Sequence, residues 1–362
     1  MQKNLLIYSL LSLISLCHGG NVEAKNNYRF FDYPGFPNIQ VWVANAINNK
    51  RQVIGNCQFF PDGVVHGGYT RGFLWSEQSG IKELGTLGGP YSNASAINNL
   101  GQIVGFGELT GATSTSRVHA CLWETDGTKR DLGVLGQDYS IASAINDSGK
   151  VVGWSFLTSW ERRAFFWTEA TGIRNLGGNG STALAINNKG EIAGNSSGQI
   201  CLWDSSGNLR LLGSLGNIED SWNQGHAIND NGVMVGESIY QPGNVHAFLW
   251  SEATGLKDLK DLGGGDSTAL GINNKNAVVG GAMAADGKNS AFIWTEAQGM
   301  LDLNGLVVNK PSDKRLWYAY SITDAGLIVG SWIDATFHIG GFLLVPMQRP
   351  NFSPAYFLLL LD

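Results

Sequence analysis

The chain has 362 residues, 43% of them hydrophobic, enough to fill one large core or two ordinary ones. Glycine is abundant at 49 residues and charged residues make up only 15%, which favours many tight turns over long solvated helices. A formal charge of -6, a pI near 5.5 and no run of Lys or Arg exclude the cationic footprint of a nucleic-acid or anionic-membrane binder.

In chain order, Met1 to Leu16 places one positive charge, Lys3, before a short apolar stretch, and Val22 and Ala24 are small residues two apart. This pattern predicts a secretory signal over residues 1–24, cleaved after Ala24. The alternative, a lipid anchor on Cys17, is disfavoured by the bulky Leu16 before it. Tyr28 to Tyr33 reads as a strand with no other role. The repeat region is expected over residues 25–347 and a short tail over 348–362. The tail's apolar run, Phe357 to Leu361, falls far below the roughly 20 residues of a membrane span, so no transmembrane segment is expected in the mature chain. Cys57, Cys121 and Cys201 are odd in number, so at least one is free. Cys121 and Cys201 read as small buried apolar groups.

A recurring phrase sets the architecture. Its Asn stands at Asn48, Asn98, Asn146, Asn187, Asn229 and Asn273, with Thr323 in the seventh copy, at steps of 50, 48, 41, 42, 44 and 50 residues. These steps bracket the length of a four-stranded propeller blade. A second anchor, the Trp of a Phe-Leu-Trp phrase at Trp75, Trp123, Trp167, Trp203, Trp250 and Trp294, with Leu344 in weakened form, also counts seven. Each unit holds four short apolar runs between turn residues and none keeps a 3.6-residue period. The prediction is an all-β, seven-bladed β-propeller of four-stranded blades. The chain stops without a fourth strand after Leu344, so the N-terminal run from Tyr28 is expected to close the ring.

His246-Ala247-Phe248-Leu249-Trp250, together with the Ala-Ile-Asn and Val-Val-Gly phrases, resembles the bacterial extracellular repeat family named for its His-Ala-Phe motif (HAF repeat), over about residues 28 to 345. His119-Ala120-Cys121 departs at the third letter and other units lack the histidine. The resemblance implies secretion, a repeat β fold and bacterial origin, and no particular ligand.

Motifs with catalytic associations read as parts of the repeat. Ile228 to Val233 offers two amides and a carboxylate, which favour a hairpin turn over a calcium loop because the second position alternates Asn and Asp from unit to unit. Gly194-Asn195-Ser196-Ser197-Gly198 spells the hydrolase elbow, but its first and third residues are the repeat's own Gly-x-Ser. Gly263 to Gly265 lacks the helix of a phosphate loop. Glu77, Glu124, Glu169, Asp204, Glu252 and Glu296 each follow the repeat Trp and read as solvating groups on a weakly acidic rim. His66, His119, His226, His246 and His338 share no register that would make a zinc site. No catalytic residue, metal ligand or cofactor is expected.

Strand parity puts the monotonous turns on one face and the variable connections on the other, where a rigid scaffold usually carries specificity. That variable face holds the candidate ligand-binding residues Trp154, Trp160, Arg162, Trp222, Trp317 and Trp332, since aromatics beside charged groups suit a sugar ring or a partner protein. The leading expectation is a secreted, non-enzymatic binding module for a glycan or surface protein. The alternative is a carbohydrate-active enzyme, a glycoside hydrolase or lyase, with a carboxylate pair on the variable face. A ligand-free surface scaffold is third.

Overall fold

A computed structural model describes residues 28–32, 39–59, 69–111, 117–159, 161–218 and 222–347. The expected signal peptide, the C-terminal tail, His66 and Trp160 lie outside the described residues. The described chain is almost entirely strand, arranged as seven antiparallel sheets in a ring, a seven-bladed β-propeller. Blade five is typical: Gln224–Ile228, Met234–Gln241, Asn244–Ser251 and Gly255–Asp258 pair in chain order, with the Ile-Asn strand innermost. Blades one to six follow this plan. In blade seven, Lys314–Ile322, Ile328–Asp334 and Ile339–Pro346 supply three strands, and Tyr28–Asp32 runs antiparallel to the third, with Tyr28 opposite Pro346 and Asp32 opposite Phe342. Beyond it Val307–Val308 adds a short parallel strand.

The repeat phrase has a packing logic that periodicity alone does not reveal. In every blade the innermost strand is bulged between two small residues, for example between Ala142 and Ala144 or between Gly225 and Ala227. The bulge turns a carbonyl toward the glycine of the Val-Gly phrase. A Cβ on Gly153 would sit 2.0 Å from Ile141 O and 2.8 Å from the Phe165 ring. A Cβ on the equivalent Gly236 would meet Gln224 O at 1.9 Å and the Phe248 ring at 2.9 Å. Glycine is therefore required where bulge and aromatic ring converge. The rings it admits, including Phe73, Phe165, Phe248, Phe292 and Phe342, are fully buried, each stabilising the fold by about 1.5–3 kcal/mol of apolar transfer. The cores form between neighbouring blades; one joins Val104, Leu122, Ala142, Val151 and Phe165 of blades two and three.

Candidate functional site

At one end of the ring the seven innermost strands surround a cavity of about 300 Å³ lined by the Ile-Asn phrases. The buried Asn146 shows what the phrase does. Its Oδ1 accepts from the backbone N–H groups of Ser148 and Lys150, forming the turn, while its Nδ2 donates to Asn187 O in the next blade at 3.1 Å. The same clasp links Asn48 to Asn98, Asn98 to Asn146, Asn187 to Asn229, Asn229 to Asn273 and Asn273 to Thr323. A second row runs through the following residues: Asn99 N donates to Asp147 Oδ1, Asp147 N to Asn188 Oδ1, Asn188 N to Asp230 Oδ1, and onward to Asp324. Asn188 Nδ2 bridges Asp147 and Asp230, and Asn274 Nδ2 bridges Asp230 and Asp324. The phrase is thus a turn and an inter-blade clasp at once. Its amides and carboxylates satisfy backbone groups and one another, as buried polar groups must.

The opposite end carries a cavity of about 540 Å³ where blades five and six meet, reached by Tyr318 of blade seven. Its walls include Trp222, Asn244, Asp266 and Asn289, with Glu237 and Thr268 deeper. Space for it comes from Gly281. The residue after the Val-Gly glycine is Asn56, Phe106, Trp154, Asn195, Glu237 or Ser331 in the other units and glycine only here. A Cβ on Gly281 would strike the Tyr318 ring at 2.3 Å, so the ring lies where a blade-six side chain would otherwise project. Asn289 Nδ2 donates to Tyr318 Oη at 3.0 Å, and Asp266 Oδ1 accepts from Val245 N at 3.0 Å. Burial pushes the Glu237 carboxyl up, but His226, whose Nε2 stands 3.4 Å from Glu237 Oε1, and Thr268 outweigh it and hold the group below its ordinary value. The buried His226 Nε2 and Thr268 Oγ1 make no geometrically sound hydrogen bond within the chain.

Of the five selected residues that are described, Trp222 alone lines this cavity, with 58% of its surface exposed. Trp317 stands beside it, edge-on to Tyr318 at 5.1 Å. Trp154 and Arg162 form a separate cluster on blade three, where the guanidinium lies 5.4 Å from the indole and Tyr139 stacks alongside. Trp332 lies over Gly340, donates from Nε1 to Asp32 of the N-terminal strand at 3.1 Å and carries Lys314 Nζ over its ring at 3.8 Å. Trp160 lies outside the described residues. Sequence reading passed over Glu237, Asn244, Asp266 and Asn289, although the unit-specific glycine at 281 was a legible sign of local space.

The motif histidines act inside the blade. His119 Nδ1 contacts Asp131 at 2.8 Å and its Nε2 contacts Asp138 at 2.8 Å; His246 Nδ1 contacts the equivalent Asp258 at 3.0 Å. The acidic rim is also organised, because Arg130 pairs with Glu169, Arg210 with Glu252 and Lys257 with Glu296, each across a blade boundary. Such exposed pairs contribute about 0–1 kcal/mol each. Ser196 ends a strand and is buried, and the chain turns directly into the next strand at Gln199 with no helix following. That geometry is not a nucleophile elbow. The described cysteines, Cys57, Cys121 and Cys201, are buried free thiols.

No family model and no curated protein matches the sequence, so the His-Ala-Phe resemblance rests on its residues alone. Solved structures do match. The β-propeller domain of the Trilobed protease from Pyrococcus furiosus, described as having an open velcro topology, aligns with a TM-score of 0.58 at 10% identity, covering 88% of this chain and 98% of that one. The extracellular domain of a proposed one-component system from B. thetaiotaomicron aligns with a TM-score of 0.50 at 7% identity, covering 86% of this chain and 39% of that one. At such identities the likeness establishes the propeller fold alone. No described helix is long and apolar enough to cross a membrane.

Proposed function

We propose that this protein is a secreted, non-enzymatic binding module that engages a glycan, or a glycan-bearing surface protein, through the cavity between blades five and six. The observation that carries this reading is the pairing of an exposed indole, Trp222, with amide, hydroxyl and carboxylate groups around one concavity of ligand size. A flat apolar ring beside polar groups suits the two kinds of surface on a sugar. The clusters at Trp154 with Arg162 and at Trp317 extend the same face. A glycan-array screen of the full chain tests the proposal. Binding of a defined glycan that Trp222→Ala weakens at least tenfold supports it, and retained affinity in that variant removes the cavity from the site.

A second reading, glycoside hydrolysis or elimination, is favoured by one observation: Glu237 and Asp266 line the same cavity. A general acid needs a raised pKa, whereas Glu237 is held low. Asp266 would have to donate the proton. Turnover of an array hit, lost in Asp266→Asn, would establish catalysis.

A further inference from the structure

We infer that the glycan taken by this cavity is one bearing a protonated amine, a free amino sugar, in preference to its N-acetylated or uronic-acid counterparts. The inference rests on the binding reading above and deepens it.

The cavity's charge is one-sided. Among the described lining residues Glu237 and Asp266 carry the carboxyl groups and there is no Lys or Arg. On the adjoining blade the Arg315 guanidinium is bidentate to Asp286 and also donates to Asn289 O and Ser290 Oγ. An ammonium entering the cavity meets Asp266, which has no ion pair among the described residues, and Glu237, whose close partner is His226 at 3.4 Å, in a partly enclosed space where Coulomb attraction exceeds its value in bulk water. Trp222 and Tyr318 add ring faces that attract a cation and repel an anion. A uronate would place a third carboxylate among these groups, and an N-acetyl group would bring no charge to them.

The deeper end fits a donor. Glu237 remains ionised despite its burial, so it accepts hydrogen bonds and offers none. Beside it the Thr268 hydroxyl makes no sound hydrogen bond within the chain, and a hydroxyl can accept from an ammonium. Meanwhile Asn244, Asn289 and the Tyr318 hydroxyl provide the mixed donors and acceptors that sugar hydroxyls require. This mixture favours an amino sugar over a lysine side chain, whose butyl stem has no use for it.

Isothermal titration of the full chain with a glucosamine tetramer, an N-acetylglucosamine tetramer, a tetrauronate and a tetralysine peptide tests the assignment. The expected result is at least tenfold tighter binding of the free amino tetramer than of the N-acetylated one, with no uronate binding. Glu237→Gln and Asp266→Asn should each reduce that ratio by weakening the free amino tetramer more than the N-acetylated one; agreement of the two variants guards against misfolding of either. Equal or tighter binding of the N-acetylated or uronate form overturns the amine preference but leaves the glycan reading intact. Tetralysine binding as tight as that of the amino tetramer overturns the sugar assignment. If no glycan binds here or on an array, both readings fall.

Discussion

The two ends of the ring are made from the same seven blades, yet they use polar side chains in opposite ways. At the Asn end each amide is committed twice, once to its own turn and once to the next blade, as in Asn146 with Lys150 and Asn187. At the variable end Glu237 and Thr268 line a cavity, and Thr268 Oγ1 makes no geometrically sound hydrogen bond within the chain. The first end is complete without a ligand because its hydrogen bonds close within the chain. The second holds capacity in reserve, and unsatisfied capacity is what a binding site requires.

The largest effect is expected where the ring draws on both ends of the described chain. Tyr28 and Phe30 are buried in the blade-seven core, and Asp32 receives Trp332 and Lys314. Deleting residues 25–34 should uncover the edge of Ile339–Pro346 and abolish cooperative melting or cause aggregation. A monomeric deletion variant with unchanged Tm would show that the other six blades hold the ring without this strand.

Adjacent glycines in blade six offer a sharper contrast between the two uses of the strands. A Cβ on Gly280 would meet Thr268 O at 1.9 Å and the Phe292 ring at 2.9 Å, whereas on Gly281 it would meet only the Tyr318 side chain within 3 Å. Backbone cannot withdraw, so Gly280→Ala should destabilise by about 3 kcal/mol. Tyr318 borders open space, so Gly281→Ala should cost about 1 kcal/mol and push the ring into the cavity, with loss of binding. Urea melts of the pair check the difference; equal costs would mean that Tyr318 is as fixed as the bulged backbone.

Much of this fold was legible in sequence because the same physical demand recurs seven times. The Asn ruler, the glycine and the aromatic ring mark blade after blade. The bulge was not legible, since Ala142 to Ala144 has no residue that announces it; only the register opposite Gly153 does. The inter-blade partner of Asn146 was hidden for a similar reason, as sequence shows the local turn but not which carbonyl of the next blade lies within reach. At the variable end Trp222 was found because an exposed aromatic is conspicuous. Glu237 and Asp266 were missed because their meeting depends on how two blades are set beside each other, and Trp332 reaches a strand 300 positions away.

The regular turn has two irregular members that measure its strain. Arg51 stands in the register of Gly101 and Gly149 and adopts φ 61°, a left-handed conformation that glycine takes freely. Arg51→Gly should stabilise by about 1 kcal/mol. Asn276 occupies the same register at φ 59° and accepts from Asn229 Nδ2 at 2.7 Å, so Asn276→Gly should gain less or lose stability. A Tm rise in the first variant and none in the second would confirm that the regular end is built from local backbone geometry plus clasps; identical shifts would deny the clasp any weight.

The smallest effect concerns the motif histidine that ties the regular strand to the variable linker. Hydrogen bonding to Asp131 raises the His119 pKa, burial opposes this, and Asp138 adds to the rise. A histidine whose folded pKa is raised contributes stability that is complete below its ordinary value of 6.5 and is lost as pH climbs through the folded value. Asp131 and Asp138 are held below 3.8, so their share is present above that value and disappears only as pH falls through their lowered values. The clamp is therefore strongest between about pH 4 and 6.5. Replacing the imidazole by an amide keeps a donor but removes the titration. The Tm gap between the native chain and His119→Gln should be widest near pH 5.5 and narrow by pH 8.5. A gap for His119→Gln that stays constant across this range would mean that the histidine joins strand and linker by shape and neutral hydrogen bonds, with no charge involved.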